Sequence, residues 1–306
     1  MSAGWVAGSV RGKLLTRRRL GAAGARRVAA SGGTDAAVGL LARSPYGRDV
    51  HDGSSADEAR RAVGAGCLWH LRVLAGWLPP TGGELVRVFA APFELANIAD
   101  RLAGFAGAEV PPPFPMGGLA VAWPRAATAA TATELRAALA ASAWGDPGTT
   151  AWPEASIALT ARWASWLADA VPGAGAWSAG AAALLAARLL AVGSQVPPAA
   201  GRDLRRQLGD GWESAASLID LRGRVPRSAA WALADVVGPD DLWGAEGRWW
   251  QRVDRDAATT LRAARPGPEA AAAAAARLAA DAWRAQAALE AAAWGPAGVE
   301  VFDALA

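Results

Sequence analysis

The stretch Glu269–Ala293, EAAAAAAARLAADAWRAQAALEAAA, decides the fold class of this chain. Alanine, leucine, arginine, glutamine and glutamate have the highest helix propensities, and the stretch contains little else. Pro268 before it fits the first turn of a helix, and Gly295-Pro296 after it fits a helix end. The stretch therefore predicts a single helix of about seven turns.

Helix signals recur along the rest of the chain, whereas strand signals do not. Capping boxes, in which a hydroxyl and a carboxylate three residues later satisfy first-turn amides, are predicted at Ser55/Glu58, Thr81/Glu84 and Thr131/Glu134. Helix ends are predicted near Trp77, Val171, Val192 and Trp294, each followed by proline or glycine. β-branched residues are sparse and no long alternating run occurs, so we expect an all-α protein.

The composition excludes several classes of protein. Of the 306 residues 53% are hydrophobic, which excludes disorder, and 16 tryptophans predict a core of small side chains with indoles. One cysteine cannot form an internal disulfide, and with only two histidines we expect no metal site and no cofactor. The longest uncharged run, 170–187, is interrupted by proline and glycine, so we expect a cytoplasmic or peripheral protein without a membrane span.

Positive charge is concentrated at the N-terminal end. Residues 1–50 contain nine bases and two acids, a net charge of +7, whereas the remaining residues carry a net charge of −4. A basic end can bind an anionic partner such as nucleic acid, lipid headgroups or an acidic protein surface. The alternative is that these arginines only solvate helix faces.

Two segments of the chain resemble each other at a distance of about 119 residues. The segments 93–102 and 212–222 each begin with an aromatic residue and a glutamate, continue as a short apolar stretch carrying arginine, and precede a proline-containing loop. This similarity predicts a short helix headed by the glutamate in each copy, and a duplicated helical lobe. Chance similarity within an alanine-rich chain is the alternative.

No group of side chains forms a recognisable catalytic motif. Cys67 lies one helical turn before His70, but a buried small residue beside a partly exposed histidine is the interpretation we favour over a reactive thiolate. Trp249 and Trp250 could stack on nucleic-acid bases. Packing in the core or in a protein interface is the more common use of tryptophan at such spacing.

The ordered motifs resemble the C/d subunit family of V-type and archaeal-type rotary ATPases. Val10–Leu15 is similar to the family's first helix, and Ser44-Pro45-Tyr46-Gly47 to its Thr-x-Tyr-Gly turn. The family's repeated motif of an acid, Asn-Leu and a later base is similar to Glu94 with Asn97-Ile98, and less fully to Glu213 with Arg222. The second copy departs from the motif because Ala216 replaces the asparagine. The segment 294–302 resembles the start of the family's final helix.

The resemblance implies an all-helical, three-lobed, funnel-shaped body with pseudo-threefold internal repeats, divided at 1–80, 81–200 and 201–306. The third lobe is expected to be short of the family's last helix. The implied role is a non-catalytic central-stalk subunit that couples a rotor shaft to the membrane proteolipid ring during ion transport. The implied partners are the ring and the shaft subunits, with no nucleic acid and no small-molecule substrate.

The expected interface residues come from the basic end, the family motifs and the tryptophan pair. They are Arg11, Lys13, Arg17, Arg18, Arg19, Tyr46, Glu94, Asn97, Glu213, Arg222, Trp249 and Trp250. The alternative function is a helical nucleic-acid-binding or scaffold module that uses the arginine-rich N-terminus.

Overall fold

The computed structural model describes residues 2–305 as helices joined by turns and loops. No strand occurs in this range, which confirms the all-α prediction. The helices are α1 (Ala3–Arg17), α2 (Gly21–Ala29), α3 (Thr34–Ala42), α4 (Ala56–Gly76), α5 (Pro80–Phe105), α6 (Trp123–Ala126), α7 (Ala132–Ala140), α8 (Trp152–Ala170), α9 (Gly175–Ala191), α10 (Pro198–Leu208), α11 (Leu218–Arg224), α12 (Arg227–Ala230), α13 (Leu242–Ala263), α14 (Pro268–Ala293) and α15 (Pro296–Leu305).

The described residues form two compact units. Unit 1 contains the chain up to Phe89 and again from Trp250, and unit 2 contains Ala90–Trp249. Helices α5 and α13 each contribute residues to both units. The division into three lobes at 1–80, 81–200 and 201–306 stays a prediction.

Helix α14 is the centre of unit 1. It packs against α1, α2, α3, α4 and α15, and all seven alanines of 270–276 are buried. A helix whose surface consists of methyl groups can be approached from several sides, because no long side chain holds the neighbouring backbones apart. The stretch with the highest helix propensity in the sequence is therefore also the core of this unit.

Helix α1 approaches its neighbours through glycines. A Cβ atom at Gly12 would lie 2.8 Å from the Cβ of Ala274 on α14, and one at Gly8 would lie 2.2 Å from Cδ2 of Leu78. Both distances are below van der Waals contact. The Ala274 Cβ cannot move without the α14 backbone, so position 12 requires glycine, whereas a side chain at position 8 would displace the Leu78 side chain. The buried side of α1 consists mainly of small residues for this reason.

Unit 2 has a core of alanine, leucine and indole side chains around the second part of α5. The cluster contains Ala91, Ile98, Leu102, Ala122, Ala126, Ala129, Leu135, Leu139, Trp144 and Leu159. The Trp144 and Trp166 rings meet edge to face at 5.9 Å between centroids. A Cβ at Gly180 would lie 2.7 Å from the ring of Trp231, so glycine makes room for an indole in this unit.

Most of the predicted helix boundaries are confirmed. The capping box at Ser55 forms both of its bonds with Glu58, and Thr131 accepts a bond from the Glu134 amide. The four predicted ends are correct, since α4, α8, α9 and α14 stop one residue before the tryptophan or valine named above. The cap at Thr81 is wrong, because α5 begins at Pro80 and Thr81 lies inside the helix.

The predicted similarity between residues 93–102 and 212–222 is not reproduced as local structure. The first segment lies within the 26-residue helix α5, so Glu94 does not head a short helix as predicted. In the second segment Trp212–Ser214 is a single 3-10 turn, and α11 begins only at Leu218. Similar residues thus stand in different backbone conformations.

No helix within residues 2–305 combines the length and the apolar character needed to cross a bilayer. The two longest helices, α5 and α14, have 26 residues each. The apolar sequence of α14 is interrupted by charged side chains at Arg277, Asp281, Arg284 and Glu290.

The close approach of α1 to α14 makes a prediction for Gly12. Gly12→Ala is expected to lower the free energy of unfolding by about 1–2 kcal/mol, because overpacking against Ala274 outweighs the ~1 kcal/mol gain in helix propensity. Urea denaturation of the purified chain measures this change. Gly83→Ala is the matched control, since a Cβ there meets nothing within 4 Å, and it should be neutral or stabilising. Equal stabilisation by both variants would contradict this description of the packing.

Candidate functional site

Glu94 is a fully buried carboxylate that caps a distant helix. Its Oε2 accepts a hydrogen bond from the Val121 amide at 2.8 Å, and its Oε1 accepts from the amides of Ala122 and Trp123 at 2.5 and 2.6 Å. These amides belong to the start of α6, where backbone N–H groups have no partner within the helix. The side chain of α5 therefore satisfies the N-terminus of α6 and fixes its position.

The environment of Glu94 acts on its pKa in two directions. Burial raises the pKa above its ordinary value, while the three backbone bonds and the Trp144 side chain oppose this effect. An ionised carboxylate has only acceptor sites, so it matches three N–H donors without any unpaired hydrogen. The site has the chemistry of a structural clamp.

Asn97 holds the backbone of the proline-rich loop that precedes α6. Its Nδ2 donates to the Phe114 carbonyl at 2.9 Å, and its Oδ1 accepts from the Phe114 amide at 2.7 Å. This pair of hydrogen bonds requires one donor and one acceptor on the same side chain, which asparagine has and an ionised aspartate lacks. The Phe114 ring also meets Phe93 of α5 edge to face.

A third side chain on the same face of α5 completes the arrangement. Arg101 donates from Nη2 to the Ala129 carbonyl at 2.6 Å, and its guanidinium lies over the Phe105 ring. Because Glu94, Asn97 and Arg101 are spaced by three and four residues, they lie along one side of the helix. We call these three residues the α5 clamp. It fastens the segment between Phe114 and Ala129 to α5.

Unit 1 contains a second buried carboxylate with a similar task, on α14. Asp281 is 2% exposed, and it accepts hydrogen bonds from the amides of Leu20 and Gly21 at 3.0 and 2.8 Å. These amides lie at the N-terminus of α2, where Gly21 adopts a φ of +70°. The hydroxyl of Tyr46 donates the third bond at 2.9 Å. We call Asp281 with these three donors the α14 clamp.

The turn 44–47 delivers Tyr46 to Asp281. The Ser44 hydroxyl donates to the Leu41 carbonyl at the end of α3 and accepts from the Tyr46 amide. A Cβ at Gly47 would lie 1.9 Å from the Ala42 carbonyl oxygen, so the turn requires glycine. Serine, tyrosine and glycine therefore each have a physical role in this motif. Burial, together with the charge of Asp281, raises the pKa of the Tyr46 hydroxyl, which stays protonated as a donor.

Asp254 on α13 accepts ion pairs from three arginines of unit 1. Arg19 lies 3.1 Å away, Arg277 2.9 Å and Arg284 3.2 Å. Burial acts to raise the pKa of Asp254, but the three guanidinium groups outweigh burial and hold it below its ordinary value. The side chains of Arg19 and Arg284 are only 12% and 10% exposed, so this carboxylate offsets part of a positive charge that water reaches poorly.

The structure separates the predicted interface residues into exposed and buried ones. Lys13, Arg17 and Arg18 are exposed on α1 or next to it, and Arg11 is half-buried. Arg19 is removed from this exposed cluster by its pairing with Asp254. Tyr46, Glu94 and Asn97 are buried inside their units, where their side chains bond to residues of the same unit. Their assignment to an interface stays a prediction.

The remaining predicted residues also have local partners. Glu213 is exposed and pairs with Arg205 at 3.0 Å, so it does not cap a helix as Glu94 does. Arg222 donates to the Ala234 carbonyl. Trp249 is buried in unit 2, where its Nε1 donates to the Trp177 carbonyl at 2.8 Å, so it packs in the core of this unit.

Trp250 and Cys67 both lie in unit 1. Trp250 is half-buried and stacks on Trp283. Cys67 is buried, and burial raises the pKa of its thiol to about 12, so it is a core thiol as the sequence indicated. Burial also lowers the pKa of the neighbouring His70. Within residues 2–305 no group of histidine, cysteine and carboxylate side chains could hold a metal ion.

Sequence reasoning missed the most connected polar residues of unit 1. Asp281, Asp254, Arg277 and Arg284 were not singled out, although three of them interrupt an alanine run. Asp281 and Arg284 lie three positions apart within the alanine run, which is the same spacing as that of Glu94 and Asn97. This shared spacing was a signal in the sequence that could have identified Asp281 as a buried polar residue.

The α5 clamp makes a prediction for Glu94→Gln. The amide is as long as the carboxylate, but its NH₂ group faces a backbone N–H, so the variant should lose about 1–3 kcal/mol of unfolding free energy. Urea denaturation at neutral pH measures the loss. Glu109→Gln is the matched control because Glu109 is exposed in the same unit. A Glu94→Gln variant as stable as this control would show that the carboxylate does not hold α6.

A second prediction concerns Asp254→Asn, which leaves three guanidinium groups without their carboxylate. We expect a loss of about 3 kcal/mol at neutral pH, against less than about 1 kcal/mol for Asp57→Asn at an exposed ion pair. Because the folded-state pKa of Asp254 is lowered, its contribution is present above the unfolded-state pKa and is lost as pH falls through the folded-state pKa. The difference between wild type and Asp254→Asn should therefore shrink in acid. A difference that is constant with pH would contradict the ion-pair description.

The two clamps use the same chemistry. Each places a buried carboxylate of a long helix on the free amides at the start of a shorter helix. No protein-family model matches the chain, and no curated protein matches it significantly. The contacts of its own residues therefore supply the basis for a functional proposal.

Proposed function

We propose that this protein is the non-catalytic central-stalk subunit of a V/A-type rotary ATPase, and that it couples the rotor shaft to the membrane proteolipid ring. Its partners are the ring and the shaft subunits, and it lies on the cytoplasmic face as a peripheral component. It uses no cofactor or small-molecule substrate. Its body is a three-lobed funnel with pseudo-threefold repeats.

The use of the family-like motif residues carries this proposal. Tyr46, Glu94 and Asn97 matched the family in sequence, and each of them bonds to a distant part of its unit. Glu94 and Asn97 bind backbone groups, whereas the Tyr46 hydroxyl donates to the Asp281 side chain. Residues retained in a motif for stiffness are expected to be buried and fully hydrogen-bonded. The ordered motifs and these contacts thus support the same interpretation.

The likeness of the two clamps supports the repeated body. Glu94 and Asp281 are both buried acids on 26-residue helices, and a buried polar side chain follows each after three residues. Asn97 and Arg284 occupy those later positions. The pairing of Glu94 with Asp281 is a better structural match than the pairing of Glu94 with Glu213 suggested by local sequence.

The mechanism is mechanical. A subunit that passes torque between two partners must resist deformation, because any elastic give reduces the rotation that reaches the ring. Small residues let helices pack closely, and close packing makes an interior nearly incompressible. The clamps add resistance at the points where packing alone is weakest, since they bind loops and the ends of short helices to long helices.

The exposed bases also support a second candidate function. Lys13, Arg17 and Arg18 face solvent at the basic end of the chain, and such a cluster suits phosphate groups of nucleic acid. A helical nucleic-acid-binding or scaffold module therefore remains the alternative. The two candidate functions predict different partners in a co-purification experiment: a proteolipid ring for the first, and nucleic acid for the second.

The proposal predicts co-purification with a proteolipid ring. The full chain, tagged and expressed in its native host, should be recovered from detergent-solubilised membranes together with proteolipid and shaft subunits identified by mass spectrometry. Recovery should be unchanged by nuclease, because the attachment is to protein. An untagged strain is the control for adventitious recovery. Isolation of the chain alone, or with partners that nuclease removes, would contradict the proposal.

A further inference from the structure

Helix α1 reverses the usual arrangement of small and large apolar residues. Its buried face carries four small residues, among them Gly8 and Gly12, and one large apolar residue, Leu15. By contrast, Val6, Val10 and Leu14 are 42%, 53% and 46% exposed. Large aliphatic side chains normally gain from burial, whereas glycine does not. This reversal indicates that a binding partner contacts the exposed face of α1.

The three exposed side chains form a continuous line. Val6, Val10 and Leu14 are spaced by four residues, so they lie one above the other on the same side of the helix. At a rise of 1.5 Å per residue the line is about 12 Å long. We call these three residues the α1 stripe.

Positive charges flank the C-terminal end of the α1 stripe. Lys13, Arg17 and Arg18 are exposed, and no carboxylate of residues 2–305 forms an ion pair with any of the three. Helix α1 itself contains no acid. The surface thus combines an apolar line with three uncompensated charges of one sign.

We propose that the outer face of α1 binds an anionic lipid bilayer surface. The α1 stripe enters the boundary between headgroups and acyl chains, and the three bases bind the anionic headgroups. An apolar line bordered by lysine and arginine is the pattern of helices that lie at a membrane surface. The inference deepens the proposed function, on which its membrane setting rests.

The α1 stripe favours a bilayer over nucleic acid. Phosphate groups of DNA or RNA attract the three bases equally well, but they offer no apolar layer for valine and leucine. A bilayer removes apolar side chains from water, and it also attracts each base, which strengthens binding about fivefold per base. The combined surface therefore fits headgroups with acyl chains beneath them.

Vesicle flotation with the purified full chain tests the proposal. The chain should float with vesicles of phosphatidylcholine and phosphatidylglycerol and should not float with phosphatidylcholine alone. Lys13→Glu/Arg17→Glu/Arg18→Glu should weaken the binding by at least about a hundredfold, because the loss of each base costs about fivefold and the three new carboxylates are repelled by the headgroups. Arg17→Lys/Arg18→Lys should retain it, because headgroup attraction depends on charge rather than on guanidinium geometry.

A separate variant tests the apolar part. Val6→Ser/Val10→Ser should weaken vesicle binding about tenfold through the loss of apolar contact. Val192→Ser/Val237→Ser is the matched control, since these valines are exposed in unit 2 and should not affect binding. Circular dichroism and urea denaturation check that each variant is folded.

The outcomes distinguish this inference from the proposed function. Binding that needs the bases but not the α1 stripe, together with binding to RNA or DNA, would overturn the lipid proposal in favour of nucleic acid. Failure to bind anionic vesicles would also overturn it. If the chain is recovered with a proteolipid ring in detergent but the purified chain does not bind vesicles, the proposed central-stalk function is supported and the lipid proposal is wrong.

Discussion

The carboxylate of Asp281 fixes the arrangement of three helices in unit 1. A buried charge without partners is destabilising by several kcal/mol, so its three donors must stay in place whenever the chain is folded. Those donors come from the start of α2 and from the turn after α3, while Asp281 itself lies on α14. One side chain therefore sets the relative positions of three helices, and α14 can satisfy it only in one rotational setting.

Small residues determine how closely the surrounding helices approach α14. The alanines of 270–276 and Gly12 allow backbones to approach until methyl groups and hydrogens touch. Unit 2 uses the opposite device, since indoles such as Trp231 and Trp249 occupy the space left by Gly180. An alanine-rich chain with many tryptophans can thus fill its interior with two very different sizes of side chain. Polar clamps then select one packing among those that volume alone permits.

The sequence predicted the helices better than it predicted the roles of the polar residues. Helix boundaries follow from local chemistry, as the Ser55 capping box and the proline before Glu269 illustrate. Glu94 was predicted to head a short helix and to lie in an interface, whereas its burial and its three amide donors depend on residues 27 to 29 positions later. Asp254 was missed because its arginine partners are distributed over the turn after α1 and over α14, and nothing in the local sequence connects them. Thr81 shows the converse error, because the local pattern predicted a helix cap at Thr81 whereas α5 already begins at Pro80.

The reactive side chains of this protein are distributed in a way that favours site-specific labelling. Lys13 is the single lysine, and it is exposed beside the α1 stripe, so an amine-reactive dye introduces one side-chain label on the surface of interest. Cys67 is the single cysteine, and its buried thiol with a pKa of about 12 reacts poorly with maleimides. A second cysteine introduced at an exposed position would therefore react selectively, which provides a two-colour distance probe without replacement of Cys67 or Lys13.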